Sequence, residues 1–474
     1  MDKQSLYLSV DKAAETIQNV SDKIWEYAEL SMEETQSAKL YKKVLTDLGF
    51  TVEDKIAGVP TAFSGTYGTG KPIIGILAEY DALSGLSQVA NVPEKAPLTP
   101  NGNGHGCGHN LLGAGSLGAA IAIKDAIEAG TLSGTVVFYG CPGEEGCAGK
   151  TFMAREGVFK NLDAALCWHP GDVNEVTTGT CAACLQYEYS FKGISAHAAG
   201  DPENGRSALD AAELMNIGTQ FLREHISKKA SVHYAFSKTG GLSPNVVQAE
   251  ASLIYMIREE NVSKAKTLLA RVNEIAQGAA LMTGTTVSWK QIDGTSNTVS
   301  NTVMEKVIHE NMLDAPLPSY TQEEWDYANA LKATYSVTAL PGQNTEIDKD
   351  LWIMVKEKSE NGSRALNDFL LSYVPSNVFT PGSTDVGDVS WLTPTAQFTT
   401  VTWTSGSPGH SWQNVAIGKS SIAHKGVLFA AKIMAGAAAD IMEDPALLQQ
   451  IKEEFQVSVG PYDCPLEDSL KVPN

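Results

Sequence analysis

Short apolar runs set apart by helical stretches constrain this chain more than any other feature. Residues 73–78, 135–139 and 164–168 are predominantly apolar, and each is short enough for one strand. A helical run rich in Gly and Ala, 111–129, separates the first two. Strands buried on both faces read this way, and their alternation with helices predicts a mostly parallel sheet in an α/β domain flanked by helices. Ahead of them, 9–29 and 33–48 repeat apolar positions at helical spacing (Ile17, Val20, Ile24; then Leu40, Val44, Leu48), and Gly49 marks a stop.

The texture changes after Cys184. Residues 186–191 alternate, 209–225 read as a helix, and 245–257 read as one or two alternating strands. A second helix at 262–282 and a strand at 286–290 complete a βαββαβ-like order, which predicts a small α+β, ferredoxin-like insert. The division is then 1–184 with 295–474 for a catalytic domain and 185–294 for a lid or dimerisation domain. Residues 341–363 are polar and read as loop, and 420–442 read as an Ala-rich helix. Residues 65–71 approach a phosphate-loop pattern, but Pro72 replaces the needed Ser or Thr and a strand follows, so a hairpin turn is expected. Cys181 and Cys184 lack the second cysteine pair that a structural zinc site needs.

Composition narrows the function classes. Lys+Arg 35 against Asp+Glu 55 gives a net charge of −20, the opposite of a nucleic-acid-binding face. No run approaches the roughly 18–20 apolar residues of a membrane span. The first residues lack the apolar core of a secretory signal, and seven cysteines without a framework argue against a disulfide scaffold. A cytoplasmic protein with no nucleic-acid or membrane partner is expected.

Chemistry concentrates in five places. The segment 101–110 (NGNGHGCGHN) puts His105, Cys107 and His109 among glycines that let backbone approach an ion closely. The helix starting near Leu111 adds a positive dipole end that favours a Cys107 thiolate. Glu144 and Glu145 follow the strand 135–139, and neighbouring side chains on extended backbone point opposite ways, so one can bind metal while the other acts as a base. His169 ends the strand 164–168, His410 sits in a glycine-rich turn, and Asp81 ends the strand 73–78. Strand ends are where α/β sheets place their chemistry.

In this order, EYDAL at 79–83, NGHGCGHNLLG at 103–113, YGCPGEEG at 139–146, ALCWHP at 165–170, SPNVVQA at 243–249 and STDVGDVSW at 383–391 make a specific set. The chain resembles the amidohydrolase branch of the aminoacylase/carboxypeptidase-like dinuclear metallopeptidases. Asn110 stands where that branch commonly has Asp, and Ser84 where many relatives have Pro. The resemblance implies two divalent ions, Mn2+ or Zn2+, bridged by Cys107 and held by His109, Glu145, His169 and His410. It implies Glu144 as general base, Asp81 as a partner behind the ligands, and His197 as a donor to the scissile carbonyl. Asn245 and Arg258 match positions that meet the substrate across a dimer. The implied reaction is hydrolysis of the amide bond of a small N-aroyl or N-acyl amino acid, p-aminobenzoyl-glutamate among them. The alternatives are a dipeptidase, an auxin-conjugate-type hydrolase, or a non-catalytic partner subunit. A homodimer is expected, with a heterodimer with a related chain as the alternative.

Overall fold

Seven strands form the larger sheet, in the order β1 (Thr51–Asp54), β2 (Phe63–Thr69), β4 (Gly134–Gly140), β3 (Ile73–Ala78), β5 (Ala164–Gly171), β13 (Thr395–Val401) and β6 (Glu175–Val176). The computed structural model describes residues 2–337 and 339–473. The four central strands, β4-β3-β5-β13, run parallel, and the edges are antiparallel. All of β4 is buried, as is β3 beyond its first residue, which explains why their sequences do not alternate.

Helices cover this sheet. The helix His109–Glu128 packs on β3 and β4 and against the helices Ala14–Tyr27 and Ser421–Glu443. It is buried on nearly every side, with glycines and alanines interspersed among buried Leu111, Leu112, Leu117, Ile121 and Ile123. The predicted N-terminal helix is two, Lys3–Lys12 and Ala14–Tyr27, followed by Thr35–Asp47.

Between β5 and β13 the chain builds a second, antiparallel sheet in the order β11 (Thr286–Thr295), β8 (Ala183–Lys192), β10 (Glu250–Glu259) and β9 (Ser231–Lys238). The helices Ala208–Arg223 and Val262–Thr283 pack on one face, and this layer has its own apolar core around Tyr189, Tyr255, Met215 and Val272. A parallel bridge of β7 (Thr180–Cys181) with β12 (Phe379–Thr380) lies near the junction of the two sheets.

Three local expectations change. Residues 65–69 lie inside β2, and β4 inserts between β2 and β3, so the turn that follows is not a hairpin. The strand expected within 245–257 begins only at Glu250, and its partner β9 carries weak alternation because six of its eight residues are exposed. The stretch expected to be loop contains the helix Lys349–Lys358, capped by the Asp348 carboxylate.

Two glycines test how tightly these layers meet. A Cβ at Gly113 would lie 2.6 Å from the Glu79 carbonyl oxygen, whereas at Gly278 nothing lies within 4 Å. Gly113→Ala should therefore lose roughly 1–3 kcal/mol, the range for overpacking. Gly278→Ala should gain up to about 1 kcal/mol from helix propensity alone. Urea denaturation of both variants checks the pair.

Candidate active site

The parallel strands deliver their loops to one edge of the larger sheet. Glu79 and Asp81 follow β3, Glu144 and Glu145 follow β4, His169 lies near the end of β5, and the loop after β13 carries His410. The glycine-rich segment that ends at His109 closes the group. Gly108 there has φ +77°, and a Cβ on it would lie 3.0 Å from the Pro170 ring, so glycine lets Cys107 and His109 meet His169.

One nitrogen of each of two imidazoles is fixed by a hydrogen bond. His109 Nδ1 donates to Asp81 at 2.8 Å, which turns Nε2 towards the site. His169 Nδ1 donates to its neighbour's carbonyl, Pro170, at 2.8 Å, leaving Nε2 3.4 Å from the Cys107 sulfur. Asp81 is fixed in turn by the Ser31 hydroxyl and the Glu145 N–H, each at 2.9 Å. Burial works against its charge, but His109 together with the hydrogen bonds from Glu145 and Ser31 holds Asp81 down to about 2.

Two groups of donor atoms adjoin. Cys107, His109 and His169 form one, Cys107, Glu145 and His410 the other, and within each the ligand atoms lie within 4.8 Å of one another. They share Cys107. A third group joins His109 to Glu79 and Glu144. His109 Nε2 lies 3.2 Å from the Glu79 carboxylate yet makes no hydrogen bond, and the buried Glu145 Oε1 also lacks one. Buried polar atoms left in this way point at a missing partner, and this set of thiol, imidazole and carboxylate donors suits a divalent cation.

Charge supports the same reading. Burial, with Glu79 and Asp385 nearby, pushes Glu144 well above the usual carboxylate range. Burial and Asp81 also raise Glu145, and burial raises the Cys107 thiol. A cation bound beside the thiol would favour its thiolate against that burial.

Lys150, on the short helix Gly149–Arg155, was not expected here. It is fully buried, with Nζ 2.6 Å from Glu79 and 2.5 Å from Asp385. One ammonium serves two carboxylates, and burial still leaves Asp385 raised to about 6. Lys150 and Glu79 tie the end of β3 to the chain after β12. The His410 loop is braced from the other side, where Tyr335 donates to Thr404 at 2.8 Å and Lys332 to the Ser405 carbonyl at 2.9 Å.

A cavity of about 570 Å³ opens onto these groups, and the free face of the four-stranded sheet forms its far wall. Arg258 lies on that wall. Its guanidinium donates to Ser383 at 2.8 Å and to the Pro381 carbonyl at 3.2 Å. His197 and Asn245 are not part of the wall. They are exposed neighbours, joined where Ala198 N–H donates to the Asn245 carbonyl at 2.9 Å. His197 Nδ1 accepts from the Gly200 N–H at 2.9 Å, so its proton sits on Nε2.

Carboxylates crowded in this way gain from any cation that fits among them. Adding Mn2+ or Zn2+ to chelator-treated protein at 100 times its Kd should stabilise it by about 2.7 kcal/mol for each ion bound. Thermal unfolding with and without the ion checks this, and an unchanged midpoint counts against a cation site.

Comparison with known proteins agrees with this geometry. The chain is 43% identical to one of the subunits of the p-aminobenzoyl-glutamate hydrolase of Escherichia coli (strain K12), over 98% of both chains. It is 28% identical to the Xaa-Arg dipeptidase of Homo sapiens, over 95% of this chain and 91% of that one. A Bacillus subtilis dinuclear metal binding peptidase of the M20 family shares the fold with a TM-score of 0.56 at 18% identity, covering 91% of this chain and 99% of that one. Residues 75–417 match the family "Peptidase family M20/M25/M40", and the chain belongs to it.

Proposed function

We propose that this chain is a metal-dependent hydrolase acting on the amide bond of N-aroyl or N-acyl amino acids, with p-aminobenzoyl-glutamate as the first substrate to test. The observation that carries the reading is the meeting of two ligand groups at Cys107 beside a cavity that also holds Glu144 and Arg258. Cys107, His109, Glu145, His169 and His410 would hold two divalent ions, and their mixed sulfur, nitrogen and oxygen donors suit Mn2+ or Zn2+. Bound there, the ions would supply Lewis acidity to a water and to the amide carbonyl.

The chain's own groups then divide the work. Glu144, raised by burial, is suited to take a proton from water and return it to the leaving amine. Asp81 keeps His109 in its ligating tautomer. Arg258, held by Ser383, would receive the substrate carboxylate. His197, with its proton on Nε2, would donate to the carbonyl oxygen as charge develops.

Because His197 and Asn245 are exposed and off the cavity wall, they would act in a partner's site, with residues 185–294 as lid and dimerisation domain. Exposed Ile217 and Phe221 on one helix, beside Tyr234 and Phe236 on the edge strand β9, favour such an interface. The partner is a second copy or, since the E. coli relative is one subunit of its hydrolase, a related chain. Seven unpaired cysteines fit a reducing compartment, so the cytoplasm is the proposed location.

Glu144→Gln should keep the metal content and lose turnover by roughly 100-fold or more. Glu145→Gln should lose metal first. Elemental analysis alongside kinetics separates them, and the opposite pattern reverses the two roles.

Complementation tests the partner's histidine. His197→Ala and Glu144→Gln dimers should each be nearly inactive. After exchange of chains, each mixed dimer has one intact site, so activity should recover towards half of wild type per mixed dimer. Exchange without recovery would place both residues in one site of one chain.

A further inference from the structure

Asp293 stands on the cavity wall because of a defect in strand pairing. Along β11, Val287, Trp289 and Gln291 pair with Phe191, Tyr189 and Tyr187 on the face that the helices cover. Continued alternation would put Asp293 opposite Leu185, on that same apolar face. Instead the register slips between Gln291 and Asp293, and Asp293 pairs with Gln186. The bulge turns the carboxylate to the opposite face, where Gln186, Met256 and Arg258 line the cavity. Bulges of this kind re-aim side chains beside active sites.

The carboxylate that arrives there has no partner. Asp293 makes no hydrogen bond or ion pair with its side chain among the described residues, although Arg258 is near enough to be felt. Arg258 is taken up by Ser383, Pro381 and the Met256 sulfur. Burial and the nearby Asp385 raise Asp293 to about 7, the response of a carboxylate short of donors. The wall thus presents a guanidinium on β10 and an unpaired acceptor on β11, with β8 between them, facing the same ligand space as Glu144 and Glu145.

We propose that Asp293 is a specificity-determining residue that accepts a hydrogen bond from an amino group carried by the substrate in addition to its scissile amide. This rests on the amide-hydrolase reading and deepens it: Arg258 selects a carboxylate, and Asp293 selects an amine on the same molecule. The amine is either aromatic or an aliphatic ammonium, and two substrate pairs distinguish them. p-Aminobenzoyl-glutamate against benzoyl-glutamate tests the first, and glycyl-glutamate against acetyl-glutamate the second.

In wild type, the amino-bearing member of one pair should have a kcat/KM higher by roughly 10- to 100-fold, the range for a hydrogen bond to a charged partner. In Asp293→Ala that ratio should fall towards one, chiefly through KM. Asp293→Asn should keep part of the preference if the amine is aromatic and neutral, and lose it if the group is an ammonium. Equilibrium binding of 4-aminobenzoate against benzoate, and of glycine against acetate, to metal-loaded protein reads the same preference without turnover. No preference in either pair, or a preference that Asp293→Ala leaves intact in folded, metal-replete protein, overturns the inference. If wild type hydrolyses none of the four compounds, the functional reading fails, and the binding ratios still decide the role of Asp293.

Discussion

Glu79, Asp81, Glu144, Glu145 and Asp385 are crowded into one poorly solvated site, and the rest of the structure depends on how that charge is met. Carboxylates brought together out of water repel one another and lose hydration, so each needs a cation, a hydrogen bond or a proton. Asp81 is met by His109, and Glu79 and Asp385 by Lys150. Glu144 and Glu145 are left raised, beside a thiol and imidazoles whose lone pairs face inwards. Two divalent ions are the simplest answer to that arrangement. In this reading Glu144, which Glu79 and Asp385 disfavour as an anion, is the group left to move a proton.

The fold explains how loops so far apart in sequence reach one point. Four parallel strands end at the same edge, so a carboxylate pair and an imidazole arrive together, and the long connection 79–108 brings the glycine-rich turn to them. The helix His109–Glu128 can begin within the site because its small residues let it lie against β3 and under Trp168. The helix Gln322–Lys332 and the turn after it then brace the His410 loop, which gives the segment between about 315 and 370 a structural purpose that its sequence does not announce.

Legibility in the sequence followed the range of the interaction. His109, Cys107, Glu145, His169 and His410 could be picked out because each sits at a strand end or in a glycine-rich turn, and both features are local. Lys150 could not. It sits in an ordinary-looking short helix, and its partners Glu79 and Asp385 lie far off along the chain, so nothing nearby marks it as buried. Asp293 was missed for a different reason, since periodicity assumes an unbroken register and a bulge is a break in it. β9 escaped because an edge strand with mostly exposed side chains has little alternation to read.

Cys107 between two cations is the central claim, and diffraction from crystals grown with Mn2+ or Zn2+, using the metal's anomalous signal, tests it most directly. Two ions per chain are expected, roughly 3.5–4 Å apart as in other two-metal sites, with the Cys107 sulfur bound to both, His109 and His169 on one side and Glu145 and His410 on the other. A single ion, or two ions with the Cys107 sulfur bound to one or neither, would contradict it.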